Sequence, residues 1–178
     1  AEAVANKWNI SRKEQDKFAF NSHQKALNAI ENGYFKSGIA PIKVKEIYLD
    51  ENEKRKEKEC IVDTDEGPRK RGSLEALSKL KPVFAQDGCI TAGNSSQTSD
   101  GAAFLLLMSE KMINKLELTP IAKLLSYSIA GVEPKHMGIG PIEAVPIALK
   151  KANLKLNDIE QIELNEAFAS QSLAVIRE

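Results

Sequence analysis

The sequence has few cysteines, few histidines and no long apolar run, and each shortage excludes a class of protein. It contains two cysteines and two histidines in 178 residues, too few for a disulfide framework or for a zinc site of scattered ligands. The longest apolar run, Ala102–Met108, is far shorter than the roughly 18 residues that a membrane-spanning helix needs. These shortages, with no signal-like N-terminus, predict an intracellular protein with no membrane span and no bound metal.

The sequence also lacks an excess of charge of either sign. The 25 basic residues balance the 25 acidic residues, so the formal net charge is zero. This balance argues against a nucleic-acid-binding protein or a polybasic membrane-surface protein, and any anion site must be local. The hydrophobic fraction of 42% is enough for a packed core in one domain or two small ones.

Both ends of the sequence have helical patterns. Ala1, Val4, Ala5 and Trp8 follow the i, i+3, i+4, i+7 spacing of a helix face. Residues 168–178 show a second helical pattern without a Gly or Asn stop signal. We therefore interpret the sequence as a piece of a longer protein.

The first hundred residues predict helices, a hairpin and polar loops. Ser11 and Glu14 form a capping box for a helix that ends at Gly33. Its predicted buried side consists of four residues, Phe18, Ala26, Ala29 and Ile30. Two extended stretches, Ile39–Asp50 and Cys60–Asp63, flank the charged run Glu51–Glu59, which we expect to be a solvated hairpin tip. Ser73 begins a short helix whose inward side is predicted to consist of Leu74, Leu77 and Leu80.

From residue 102 onward the pattern alternates between strands and helices. The predicted strands are Ala102–Met108, buried on both faces, Ile121–Ala130 and Ile159–Leu164. The predicted helices run from Ser109 to about Leu116, from Ile147 to Asn153 with Pro146 in the first turn, and from Phe168 onward; Gly138–Pro141 is predicted to be a tight loop. This order predicts α/β organisation, with a boundary near residue 98.

The two cysteines are weak candidates for a nucleophile. Cys60 has acidic neighbours, which disfavour a thiolate, and Cys89 has no nearby basic residue in sequence. Either cysteine can still meet His23 or His136 in space, so a Cys–His pair is an open, minor alternative.

Two segments are candidates for ligand contact. The turn with Arg69, Lys70 and Arg71 presents three cations, which suits phosphate binding and equally suits a solvated turn. The loop Thr91–Ser96 has small residues that allow close approach to a ligand, although we favour its interpretation as an ordinary polar loop.

Asn165 lies where a predicted strand meets the last helix, the usual ligand-binding edge of an open α/β sheet. Its amide can stabilise a developing oxyanion directly or through water. Glu166 is either a base or, as we favour, a buried structural carboxylate, and His136 is either catalytic or, as we favour, a surface residue.

Three blocks together resemble the thiolase family. They are Asp87–Ala103 (DGCITAGNSSQTSDGAA), Met137–Pro141 (MGIGP) and Asn165–Ala169 (NEAFA). Their order and spacing, with Glu66–Arg69 upstream and Ala1–Trp8 matching the helix where the family's lid segment begins, extend the resemblance over essentially the whole chain. The amino-acid sequences of these blocks are most similar to those of 3-ketoacyl-CoA thiolases, also called acetyl-CoA acyltransferases.

The resemblance implies a partial thiolase-like αβαβα architecture, with a lid segment and parts of two similar halves. Residues 1–98 correspond to the lid that binds coenzyme A (CoA), residues 99–119 to the last strand and helix of the N-terminal half, and residues 120–178 to the start of the C-terminal half.

The resemblance also implies the roles of individual residues. Asn165 is the expected catalytic residue, because it helps to form an oxyanion hole by holding a water. Arg69 and Ser96, and more weakly Ser73 and Ala92, are expected to contact CoA. Met137 and Phe168 are expected to wall the acyl pocket.

The family's nucleophilic cysteine corresponds to a position upstream of residue 1, and its catalytic histidine and second cysteine to positions downstream of Glu178. The expected function is therefore that of part of an acyltransferase, acting on acyl-CoA and CoA as substrates without a cofactor. A homodimer or homotetramer is expected, in the cytoplasm or, in a eukaryote, in the mitochondrion or peroxisome. A non-catalytic thiolase-like subunit that binds CoA or lipid, or that serves assembly, is the alternative. A stand-alone interaction domain with an accidental resemblance is a remote third.

Overall fold

A computed structural model describes all residues, 1–178. Helix α1 spans Glu2–Lys7 and buries Val4 and Ala5, as the helical spacing at the start of the chain predicts. Helix α2 spans Arg12–Glu31 and begins at the predicted capping box, in which the Ser11 side chain accepts from the Glu14 N–H. It ends before Gly33, whose φ of 71° fits the left-handed conformation that favours glycine.

The buried side of α2 differs from the prediction. Its fully buried residues are Gln15 and Asp16, whereas Phe18, Ala26, Ala29 and Ile30 are only half-buried. Polar side chains occupy the most buried turn because they hydrogen-bond to a neighbouring loop, which a hydrophobic pattern does not reveal.

A two-stranded antiparallel hairpin follows. Strand β1 spans Ile42–Leu49 and strand β2 spans Arg55–Val62, in a register that pairs Ile42 with Val62 and Leu49 with Arg55. The predicted tip Glu51–Glu59 is therefore too long, since its last five residues lie in β2. Cross-strand ion pairs allow these charges in a strand: Lys43 Nζ lies 2.5 Å from Glu59 Oε2 and Lys45 Nζ lies 3.8 Å from Glu57 Oε2.

Helix α3 spans Leu74–Ser78, and its predicted N-cap is confirmed, because Ser73 Oγ accepts from the Ala76 N–H at 3.1 Å. Of the three leucines predicted to face inward, only Leu77 is half-buried, while Leu74 and Leu80 are exposed. Helix α3 has only five residues and ends before Leu80, so the three leucines do not share one buried helix face.

The three strands predicted after residue 102 do not form in this chain. Residues 102–108, 121–130 and 159–164 contain no paired strand, and the exposed fraction of Phe104 is 94%. A strand needs a neighbour to satisfy its backbone groups, and the only ladder among residues 1–178 joins β1 to β2. The apolar composition alone therefore did not predict the structure of these segments within the chain.

Two of the three helices in this half lie close to their predicted positions, and the one predicted from Ile147 begins seven residues earlier. Helix α4 spans Glu110–Lys115 with Ser109 as its N-cap, helix α5 spans Gly140–Ala152, and helix α6 spans Ala169–Arg177. The predicted tight loop Gly138–Pro141 is wrong, because a 3₁₀ helix, Pro134–Ile139, leads directly into α5. Pro146 consequently lies inside α5 rather than in its first turn.

The hydrophobic core is small and lies among α1, α6 and the 3₁₀ helix. Its buried cluster consists of Val4, Ile10, Ile139 and Ala174. Half of the 14 buried residues are polar or charged, and they lie mainly where α1, α2 and α6 meet the loop of residues 89–96. No helix has the length and apolar character to cross a membrane.

Candidate functional site

A cavity of about 900 Å³ lies beside α2 and has the size of a typical small-ligand site. Four other segments complete its wall: the turn of residues 65–73, helix α3, the loop of residues 92–97, and residues 166 and 169. The cavity therefore lies where parts of the chain that are far apart in sequence converge.

Four of the predicted binding residues line this one cavity. Arg69 and Ser73 come from the basic turn and its end, and Ala92 and Ser96 come from the small-residue loop. Lys70 and Arg71 line it as well, so the turn presents three cations to a single space. The structure thus brings together the two segments that sequence reasoning left as equivocal candidates.

Side-chain hydrogen bonds shape the loop Thr91–Ser96. Thr91 and Asn94 are buried, and Asn94 Oδ1 accepts from the Thr91 N–H at 2.9 Å. Ser95 Oγ donates to the Thr91 carbonyl at 2.7 Å. A Cβ atom added at Gly93 would lie 2.5 Å from Leu77 Cδ2 and 2.6 Å from Leu80 Cδ1, so a larger residue there would require these leucine side chains to shift.

The same loop pairs with the segment that precedes α6. The Ser96 N–H donates to the Ala167 carbonyl at 2.9 Å, and the Ala169 N–H donates to the Asn94 carbonyl at 2.9 Å. Ser95 and Phe168 form an isolated antiparallel bridge. Two of the three sequence blocks are therefore joined through their backbones.

Asn165 lies three residues before this bridge, is exposed and does not line the cavity. Its neighbour Glu166 does line the cavity and accepts from Ser22 Oγ at 2.6 Å. Glu166 is exposed, so its favoured interpretation as a buried structural carboxylate is wrong. The hydrogen bond ties the Asn165 segment to α2.

Met137 and Phe168, the two predicted acyl-pocket residues, do not line the large cavity. Met137 lies in the 3₁₀ helix with 78% of its surface exposed. Phe168 lines a smaller apolar cavity of about 270 Å³ with Phe84, and the two rings meet edge to face at 6.0 Å between centroids. Phe168 therefore stands between the two cavities, because its backbone pairs with the loop of the larger one.

Neither cysteine forms the Cys–His pair that the sequence left open. Cys89 Sγ contacts Glu2 Oε2 and Gln15 Nε2, both at 3.2 Å, and Cys60 lies on strand β2. Burial raises the pKa of the Cys89 thiol above its ordinary value of 9.0, and the Glu2 carboxylate adds to that rise. The thiol is therefore protonated at neutral pH, which is unsuitable for a nucleophile.

Glu2 is held by the loop that it supports. Partial burial raises the pKa of this carboxyl group, but hydrogen bonds from the Cys89 and Ile90 N–H groups and from the Cys89 thiol outweigh that effect, so the net pKa is lowered from 4.5. The two backbone groups donate to Glu2 Oε1 at 3.1 and 3.0 Å. The charged form of Glu2 is therefore the one that fits the fold.

The two histidines have different surroundings. His136 Nδ1 lies 2.8 Å from Glu133 Oε2, and its ring packs edge-on against Trp8, away from the cavity. His23 lines the cavity, and its Nδ1 accepts from the Arg69 N–H at 3.3 Å.

Sequence reasoning missed His23 and Phe84 as site residues. The capping box at Ser11 fixes the phase of α2, and the helix spacing then places Arg12, Asp16 and His23 along one side. Because neither Arg12 nor Asp16 lines the cavity, this spacing does not by itself mark His23 as a site residue. Nothing local to Phe84 would have found it, since its partner is 84 residues away in sequence.

Family comparison identifies the chain. The family model described as the thiolase N-terminal domain matches residues 1–111, and the one described as the thiolase C-terminal domain matches residues 118–178. The chain belongs to the thiolase family. The resemblance of its three sequence blocks is confirmed.

Individual thiolases match over the whole chain. A 3-ketoacyl-CoA thiolase of Bacillus subtilis (strain 168) is 50% identical over 178 residues, and a probable acetyl-CoA acyltransferase of Staphylococcus aureus (strain COL) is 48% identical over the same length. The chain covers 46% of the first protein and 43% of the second. It therefore spans less than half the length of these relatives.

Solved thiolase structures have the same fold over the matching region. The crystal structure of the Bacillus anthracis acetyl-CoA acetyltransferase matches with a TM-score of 0.91 and 45% identity, over 99% of this chain and 42% of that one. The human mitochondrial 3-ketoacyl-CoA thiolase in complex with CoA matches with a TM-score of 0.85 and 42% identity, over 99% of this chain and 41% of that one. The predicted fold class, a partial thiolase architecture, is confirmed.

Proposed function

We propose that the protein containing this chain is a 3-ketoacyl-CoA thiolase, which cleaves a 3-ketoacyl-CoA with CoA to give acetyl-CoA and a shortened acyl-CoA, or runs the reverse condensation. One observation carries the proposal: Arg69, Ser73, Ala92 and Ser96, which the family resemblance implies as CoA contacts, line one cavity. Names of relatives with up to 50% identity support the same activity.

The charge of the cavity suits CoA. The phosphates of CoA carry several negative charges, and Arg69, Lys70 and Arg71 supply three positive charges at one edge of the space. Arginine binds phosphate through a planar, bidentate set of donors. The exposed hydroxyl group of Ser96 and the exposed Ala92 then offer small surfaces along which the rest of the ligand can lie.

The acyl end is assigned to the opposite side of the Ser95–Phe168 bridge. Phe168 and Met137 are proposed to contact the acyl group, and Asn165 to stabilise the thioester oxyanion by holding a water. The backbone pairing of Ser96 with Ala167 supports this arrangement, since it keeps the Asn165 segment beside the CoA cavity.

The nucleophile of the reaction is proposed to lie outside these 178 residues. Thiolysis needs a thiolate that attacks the 3-keto carbonyl carbon, while the departing enolate of acetyl-CoA takes a proton from an acid. Cys60 and Cys89 do not line the cavity, and the Cys89 thiol has a raised pKa. This chain is thus proposed to bind CoA and to supply one oxyanion group. CoA enters as a substrate and not as a resident cofactor.

The decisive test compares two arginine variants of the full-length protein. Arg69→Ala should weaken CoA binding by about 1–3 kcal/mol, the range for a lost charge-assisted hydrogen bond. Arg55→Ala is the matched control, because Arg55 is an exposed arginine on β2 that does not line the cavity. Isothermal titration with CoA should give unchanged affinity for the control, and an unchanged affinity for Arg69→Ala would remove Arg69 from the site.

Turnover separates the two functions that share this cavity. A thiolase should form acetyl-CoA from a 3-ketoacyl-CoA and CoA, whereas a non-catalytic CoA-binding or assembly subunit should bind CoA and form none. The homodimeric or homotetrameric state and the intracellular location of the protein are further proposals. Sedimentation and cell fractionation of the full-length protein test them.

A further inference from the structure

Asp16 is a buried carboxylate in the middle of α2. Only 4% of its surface is exposed, and it does not line the cavity. Arg12 Nε donates to both of its oxygens, at 2.9 and 2.8 Å, and Arg12 Nη2 also donates to the Leu77 carbonyl at the end of α3. A buried charge is costly even when it is paired, so this pair does not by itself explain why a carboxylate lies here.

The third contact of Asp16 points to a role. Asn94 Nδ2 donates to Asp16 Oδ1 at 3.1 Å and to the Cys89 carbonyl at 3.1 Å. Asn94 Oδ1 accepts from the Thr91 N–H, so the amide of Asn94 uses both its ends to shape the loop. Asp16 is the group outside the loop that fixes the rotation of this amide.

The backbone of Asn94 carries the constraint further. Its carbonyl accepts from the Ala169 N–H, and Ser96, two residues on, donates to the Ala167 carbonyl. Asn94 thus connects the CoA cavity, which it lines, to the segment that contains Asn165. A fully satisfied buried network of this kind rigidifies the groups that it joins.

We propose that Asp16 is a positioning residue for the thiolase site. By holding the Asn94 side chain, it keeps Ala92 and Ser96 at the CoA cavity and keeps the Ser95–Phe168 bridge closed. The proposal rests on the proposed function, because it assigns Asp16 an effect on CoA affinity. Asp16 acts through Asn94 and does not itself contact the substrate.

Three variants of the full-length protein test the proposal. Asp16→Ala removes the acceptor and should weaken CoA affinity about tenfold, the effect of one lost buried hydrogen bond. Asp16→Asn keeps an oxygen acceptor for Asn94 and should remain within about threefold of wild type. Glu31→Gln changes an exposed acid on the same helix and should leave affinity unchanged. Isothermal titration with CoA gives the three values.

Amide hydrogen exchange separates positioning from general destabilisation. In Asp16→Ala, the amides of Thr91, Ser96 and Ala169 should exchange at least about tenfold faster, while those of α2 keep wild-type protection. A merely structural role would accelerate α2 together with the loop. If Asp16→Ala does not fold, Asn94→Ala, which removes the other partner, should show the same loop-confined acceleration and the same loss of affinity.

The outcomes for Asp16 and for the proposed function are distinguishable. The role of Asp16 would be overturned if the wild-type protein binds CoA and if Asp16→Ala or Asn94→Ala has the same CoA affinity and the same amide exchange rates as wild type. If the wild-type protein binds no CoA while the loop amides of Asp16→Ala exchange faster than those of wild type, the proposed function would be overturned and the structural link between Asp16 and the loop would stand.

Discussion

Two regions of this chain differ in which side chains they bury. Around the loop of residues 89–96, polar groups are buried and nearly all are hydrogen-bonded; Gln15 Oε1 is the one buried side-chain atom without a partner. In residues 102–107, by contrast, apolar side chains are exposed, and the exposed fraction of Leu105 is 90%. The first region inverts the usual rule that polar residues face water, and the second inverts the rule that apolar residues avoid it.

The difference lies in where each region finds its partners. The polar loop is completed by Glu2, Gln15 and Asp16, all within the chain. The apolar run has no strand beside it among these 178 residues, and the chain spans less than half of its relatives. The hydrogen-bonded loop is therefore complete within the chain, whereas residues 102–107 have no pairing strand in it.

The largest expected effect concerns turnover by the 178-residue polypeptide alone. It should form no acetyl-CoA from a 3-ketoacyl-CoA and CoA, because neither of its cysteines lines the cavity. A spectrophotometric thiolysis assay compares it with the full-length protein. Measurable turnover by the polypeptide would mean that these 178 residues contain the nucleophile after all.

The next effect is on stability and contrasts one side chain from each region. Ile90→Ala should lower the free energy of unfolding of the polypeptide by about 2–5 kcal/mol, because Ile90 is fully buried. Leu106→Ala should change it by less than about 0.5 kcal/mol, because Leu106 is 82% exposed. Urea unfolding gives both values, and equal effects would contradict the contrast between the two regions.

The sequence predicted local features of the fold well. The helix N-caps at Ser11, Ser73 and Ser109 depend on only a few adjacent residues, and all three helices begin at these caps. The strands after residue 102 were wrong within this chain because a strand depends on a partner that no local pattern specifies. The start of β2 was also predicted too late, at Cys60 instead of Arg55, because its charged residues pair across the hairpin.

The family resemblance, carried by contiguous motifs, implied Arg69, Ser73, Ala92 and Ser96 as CoA contacts. The structure places these four residues around one cavity. The functional roles of these four residues, like those of Asn165, Met137 and Phe168, stay predictions. That Asp16 supports Asn94 from a helix 78 residues away has no signature in those motifs.

The two cysteines offer a chemical contrast between the hairpin and the polar loop. Cys89 should react with a disulfide reagent at least about tenfold more slowly than Cys60 at pH 8, because burial and Glu2 raise the pKa of its thiol. The Cys60→Ser and Cys89→Ser variants each leave one thiol to follow. Equal reaction rates for the two thiols would show that neither burial nor Glu2 protects Cys89 from the reagent.

The smallest expected effect is the acid dependence of the polar loop. Because the pKa of Glu2 is lowered in the fold, its contribution to stability is present above its unfolded value near 4.5 and is lost as the pH falls through the folded value. Glu2→Gln should therefore flatten the decline in urea midpoint below about pH 4.5. An unaltered acid limb would show that Glu2 titrates normally.

The bridge between Ser95 and Phe168 joins residues that are separated by 73 positions. Contacts of such long range form late in folding, since the intervening chain must first be ordered at an entropic cost. A refolding experiment should then recover helix content in an early phase and cavity closure in a later one. Closure of the cavity beside α2 would thus be among the last steps by which this chain reaches its native structure.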